Sequence, residues 1–208
     1  MISQITSLLD HLEQPQQANG DPLRQFETEL PDFHLWVAEK RIDSHVRELM
    51  TAEPRTAVVD AAVLLEEHIK HLLETSTVRV EGYRKFQKAL YTEAASWAYR
   101  LGLIDAAMVK ELMAMDRIRD WIVLGWPQKM DFEDREIPVI IDRLRSPRLF
   151  FPTDEGAAQR PWSMKVFSWT MKRDRRDWWE LAVAALLGEL VDLLREAERP
   201  EVDRVSWA

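Results

Sequence analysis

His68 and His71 stand three residues apart on a stretch of helical periodicity, with Glu67 and Glu74 beside them. Two imidazoles one helical turn apart can share a metal ion, so this is the first spacing in the chain that suggests chemistry. A complete site needs a third ligand, yet every His lies at or before position 71. The pair therefore reads equally as two solvent-facing or internally bonded imidazoles. Carboxylates are plentiful, among them Glu66, Glu93, Asp105, Glu111, Asp116 and Asp120. A di-metal carboxylate bundle would need Glu-x-x-His pairs on two helices. Here Glu67 precedes His71 at i, i+4, and Leu65 is the residue three before His68. The pattern is not met, and neither a metal nor a cofactor is expected. Glu66 and Lys70 are spaced for an i, i+4 ion pair on a helix surface.

Two denser charge clusters follow. Asp116-Arg117-Ile118-Arg119-Asp120 interrupts an otherwise apolar helix, and its side chains project all around the axis, so at least one must point inward. Asp116, Arg119 and Asp120 are expected to form a half-buried Arg–carboxylate cluster that fixes helix register; contact with a ligand is the competing reading. Further on, Lys172, Arg173, Arg175 and Arg176 lie among Trp169, Trp178 and Trp179. A basic-aromatic mixture can touch phosphate and stack on bases or a peptide. Arginine stems covering apolar surface at a helix start give the same composition. With Trp126, the residues Lys172, Arg173, Arg175, Arg176, Trp178 and Trp179 form the candidate partner-binding set. No Gly-rich phosphate loop, HExxH, GxSxG or EF-hand pattern occurs, and no catalytic set is expected.

The elements that must position these residues are helices. A short segment, Ile2 to Leu12, leads into the polar connector QPQQANGDP. A helix over Asp32–Met50 ends at Glu53-Pro54. The next runs from Thr56 to about Glu74, with Val59, Ala62 or Val63, Glu66, Ile69 and Leu73 tracing its turns and Val58, Leu65 and Leu72 widening the stripe. Thr75 to Gly82 is a connector with weak strand character. A fourth helix, Arg84–Leu101, places Phe86, Leu90, Ala94, Trp97 and Leu101 on one face and stops at Gly102, a left-handed cap residue. Asp105 caps a fifth helix whose inner stripe is Met108, Leu112, Met115, Ile118 or Arg119, and Ile122. A brief helix is predicted within Glu133–Leu144. Ser146 to Pro161 is a loop that Phe150 and Phe151 pin to the core. A last helical region runs from Pro161 to about Glu198, bent near Asp174, and is apolar on most sides from Trp178 to Leu194.

The expected fold is all-α, a single-domain bundle of six to seven helices. Its parts are an N-terminal helix and connector (1–22), the bundle (23–198) and a tail (199–208). The chain of 208 residues can bury a full core without staples. Absence of Cys excludes disulfides, a Cys nucleophile and thiolate metal sites, and it fits a reducing, cytoplasmic compartment. The first residues lack the cationic start of a secretory signal, and LAVAALL (Leu181 to Leu187) is too short to cross a bilayer, so no membrane association is expected. A net charge of −8 argues against global phosphate binding. Between Arg143 and Arg176, however, nine Lys or Arg face only Asp154, Glu155 and Asp174, so a local basic patch for nucleic acid stays open.

The segment from Arg100 to Leu144 carries LGLI at Leu101–Ile104, the apolar pair Leu112 and Met115, and Ile118-Arg119. Preceded by the apolar helix of Thr56–Leu73 and followed by a Pro-containing loop and a late helix, it resembles the mannitol operon repressor family over about Pro54 to Arg195. The resemblance implies a helical, transcription-regulator-like adaptor that acts through protein contacts at least as much as through DNA, with a homo-oligomeric state. Asp120 stands where the family carries Asn, and Leu124 where His would complete an Arg-x4-His interval. That interval also marks a class of helical RNA-processing (HEPN-like) ribonucleases. Without His, the spot lacks a general acid or base. The expectation is a non-catalytic regulatory or adaptor protein; the alternatives are a helical ribonuclease or its inactive relative, and a structural assembly protein.

Overall fold

The computed structural model describes residues 30, 33–77, 86–125, 131–134, 136–147 and 174–199, and among these there are seven α-helices. They are α1 (Phe33–Lys40), α2 (Asp43–Thr51), α3 (Pro54–Ser76), α4 (Tyr91–Arg100), α5 (Ala106–Leu124), α6 (Ile137–Ile141) and α7 (Arg175–Ala197), with a 3₁₀ turn at Phe86–Lys88. No strand occurs among the described residues, so the architecture is the expected all-α bundle. The 22/23 boundary lies outside the described residues, and beyond the 198/199 boundary only Arg199 is described.

Two long helices form the axis. α7 buries every residue from Trp178 to Gly188, as its apolar-all-round sequence requires of a helix packed between others. α3 packs along it and also contacts α2, α4 and α5; α1 and α2 lean on α7, and α6 bridges α5 and α7. The buried apolar side chains join in one contiguous core. No helix among the described residues is long and apolar enough to cross a membrane.

Several local predictions are met by specific hydrogen bonds. Asp105 caps α5 by accepting from the Met108 N–H at 2.7 Å. Gly102 takes φ +72, with its N–H bonded to the Tyr99 carbonyl and that of Leu103 to Ala98. Those two bonds are the Schellman pair that closes a helix. Lys70 donates to Glu66 at 2.5 Å, as the i, i+4 spacing predicted.

The helix expected over Asp32–Met50 is two helices. Arg41 adopts φ 62, the Arg41 N–H donates to Ala38 and the Ile42 N–H to Val37, so a second Schellman closure turns the chain. A non-glycine residue there carries a steric cost of roughly 1 kcal/mol. The turn is held because Ile42 is buried and Arg195 of α7 donates to the carbonyls of Glu39 and Lys40. Two apolar stripes are also rotated from their expected positions. Val59 and Val63 of α3 are exposed, whereas Ala57, Val58, Ala61 and Leu65 face inward. In α4 the inner face is Tyr91, Ala94, Ala95 and Ala98, while Leu90 and Leu101 lie at the surface. Small alanines form the contact because they allow α4 to approach α3 and α5 closely. The fourth helix starts at Tyr91 rather than Arg84, preceded by the 3₁₀ turn. Phe150, Phe151 and the predicted stretch from Pro161 to Arg173 lie outside the described residues; α7 begins at Arg175, with Asp174 accepting from the Asp177 N–H at 2.9 Å as its cap.

Candidate functional site: a basic groove between α5 and α6

The predicted binding set separates into buried, engaged and undescribed residues. Trp126, Lys172 and Arg173 lie outside the described residues. Trp178 and Trp179 are corrections: they are 3% and 1% exposed, and Trp179 packs its ring on Phe132 with centroids 5.0 Å apart. Their place on the inward face of α7 makes them core anchors, leaving no indole surface for a partner. Arg176 is a second correction. Its Nε donates to Glu180 at 2.7 Å, and its Nη2 donates to the carbonyls of Leu49, Met50 and Ala52, at 3.1, 3.2 and 2.6 Å. The guanidinium thus satisfies the orphan carbonyls that end α2. Arg175 pairs with Glu133 and, at 3.4 Å, with Asp142. A cation so engaged works inside the fold.

Glu180 is the buried end of this network. Burial pushes its carboxyl up to about 7, and the Arg176 guanidinium beside it pulls the other way. In the cluster at Asp116, Arg119 and Asp120, the first two side chains are half-buried and Asp120 is exposed. Arg119 Nη2 lies 2.7 Å from a carboxylate oxygen of both Asp116 and Asp120. Burial raises the Asp116 carboxyl despite Arg119. Tyr91 is buried beside this group, and its phenol is pushed well above its ordinary range, first by burial and then by Asp116. All three side chains of the cluster belong to α5, so the ion pairs lie within one helix.

The histidine pair does not converge. His68 Nδ1 lies 2.7 Å from the Leu64 carbonyl, and His71 Nε2 lies 3.3 Å from Glu198. Among the described residues no group of three or more His, Asp or Glu is placed to hold a metal ion.

What sequence reasoning missed is a groove of roughly 660 Å³ between α5 and α6. One wall is a helical stripe of α5, where Ala106, Ala107, Lys110, Ala114 and Arg117 recur at the spacing that puts them on one face. The alanines leave the depth, and Met113, Ile140 and Leu144 complete an aliphatic floor. The opposite rim is Arg143 and Arg145, just after α6. Lys110, Arg143 and Arg145 are exposed, and their side chains make no ion pair or hydrogen bond with any described residue. Arg117 pairs with Glu136 at 3.0 Å across the groove.

Glu111 holds this wall in place. It is 9% exposed, and its carboxylate accepts from the Arg145 N–H at 2.6 Å and from the Ser146 N–H at 3.0 Å. Two backbone donors occupy the buried charge, so it fixes the rim instead of neutralising it. Part of the signal was legible: Arg143 and Arg145 open the basic stretch noted from Arg143 to Arg176. Lys110 and Arg117 come from a helix whose sequence balance hides them, because α5 also carries Glu111, Asp116 and Asp120.

No protein-family model, curated protein or solved structure matches this chain.

Proposed function

We propose that the chain is a helical regulatory or adaptor protein that acts by binding a macromolecular partner, without turnover, through the groove between α5 and α6. The observation that carries this reading is a row of exposed cations, Lys110, Arg143 and Arg145, without partners among the described residues, over an aliphatic floor in a chain of net charge −8. Such side chains have no task among the described residues, and an apolar cleft rimmed by charge is the form of a recognition surface. The resemblance to the mannitol operon repressor family supports a regulatory role, in which a protein partner or a homo-oligomer is the working state. The cysteine-free composition fits the cytoplasm.

The ribonuclease alternative needs a cation free to meet phosphate. Arg119 is instead held between Asp116 and Asp120, and Leu124 supplies no proton.

The test uses the full chain with a photo-crosslinking residue at Ala107, beside the groove, or at Asp60 on the exposed face of α3. A discrete adduct is expected from the first position alone, and Arg143→Glu should abolish it. Incubation with RNA, with and without divalent metal, should release no product; cleavage abolished by Arg119→Ala overturns the reading.

A further inference from the structure

The groove's chemistry narrows the partner. We infer that it takes a short acidic segment of a partner protein, with carboxylates flanking aliphatic side chains; this inference rests on the macromolecule-binding reading above.

Charge sets the sign of the occupant. Among the described residues the lining holds Lys110, Arg143 and Arg145, which have no partner there, and Arg117, which pairs with Glu136, against the carboxylate of Glu111. That carboxylate is turned into the fold by the Arg145 and Ser146 N–H groups. An anionic occupant is drawn to this spot although the chain as a whole is acidic, because screening limits each charge to its neighbourhood of roughly 10 Å.

The floor sets the class. Met113, Ala114, Ile140 and Leu144 are aliphatic, and among the described residues no aromatic ring lines the groove. A single-stranded nucleic acid gains its sequence-tolerant affinity by stacking bases on rings, which this site does not offer. A nucleic-acid backbone also presents phosphates without apolar groups to cover such a floor. An acidic peptide presents both: its carboxylates reach the rims while leucine-like side chains enter between Ala114 and Ile140. A volume of roughly 660 Å³ suits a few side chains of an extended or helical segment.

The experiment titrates the full chain into three fluorescein-labelled probes and follows anisotropy. The probes are a Glu- and Leu-containing peptide, the same peptide with Lys replacing Glu, and oligouridylate. Saturable binding is expected for the acidic peptide alone, weakened by added salt. Arg143→Glu combined with Lys110→Glu should weaken it by roughly tenfold or more, and Ala114→Trp should block it by filling the floor. Both substituted rims are exposed, so circular dichroism should match the parent chain. Absence of acidic-peptide binding, or binding that these variants leave unchanged, overturns the inference. If oligouridylate alone binds and the charge reversals abolish it, the peptide partner is wrong while the macromolecule-binding reading stands. If no probe binds and the reversals instead change the sedimentation coefficient, the occupant is a second copy and the inference fails. If no probe binds, sedimentation is unchanged and the Ala107 adduct is absent, both fail together.

Discussion

The Trp36 indole lies directly on Gly188, leaving no space between them for a β-carbon. This is how α1 seats on the central helix: glycine at the middle of α7 opens a slot, and the largest side chain fills it. Gly188→Ala should therefore destabilise the fold by about 1–3 kcal/mol, although alanine is the better helix former. Denaturant titration measures this, and pairing the change with Trp36→Leu should recover part of the loss. Strictly additive effects would mean the two residues do not share the space.

Arg176 ties Glu180 to the end of α2. Arg176→Ala should cost about 3–5 kcal/mol, because it leaves a buried carboxylate and several carbonyls without their donor. Arg176→Met with Glu180→Leu should cost less than Arg176→Ala alone. Thermal melts of the three chains decide it.

The raised Glu180 carboxyl makes stability depend on pH in a defined direction. Between its ordinary value of 4.5 and about 7, the folded chain holds a proton that the unfolded chain has released. Stability from this group is therefore fully present below the lower value and lost as pH rises through the higher one. The loss should be of the order of 1–3 kcal/mol between pH 5 and pH 8. Glu180→Gln should flatten the profile relative to the parent chain; an unchanged slope assigns the dependence to other groups.

Glu111→Ala should loosen the rim that it holds through the Arg145 and Ser146 N–H groups. A loss of about 1–3 kcal/mol is expected from the unmade bonds. The same variant should weaken groove-dependent crosslinking at Ala107 even at temperatures where the fold is intact.

At the corner between α1 and α2, Arg41 holds a left-handed conformation that glycine adopts freely. Arg41→Gly should be neutral or stabilising by up to about 1 kcal/mol, read from the shift in the denaturation midpoint.

Helix identity was legible wherever local chemistry decided it. Asp105 and Gly102 announced their caps, and the stripe from Met108 to Ile122 lay inward as its period demanded. Where packing decided, the sequence was ambiguous. α3 carries apolar residues on both Val58 and Val59, and only its burial between α5 and α7 selects the former. The corner at Arg41 carried no Gly or Pro to mark it. The basic-aromatic cluster near Arg176 misled for a physical reason: composition cannot tell a guanidinium aimed at solvent from one aimed at the carbonyls of another helix. The groove was half legible, since its two rims come from segments about 30 residues apart (Lys110 and Arg143) and only the fold brings them face to face.

Three guanidinium groups close the ends of other helices. Arg195 reaches α1, Arg176 reaches α2, and Arg55 donates to the Val123 carbonyl near the end of α5. The first two reach back over 156 and 124 residues of chain. During synthesis on a ribosome, α1 and α2 thus emerge long before the side chains that finish them. These two helices must wait, open at one end, until α7 leaves the exit tunnel. Premature termination before Asp174 would strand them, and such fragments would be ready substrates for chaperones and proteases.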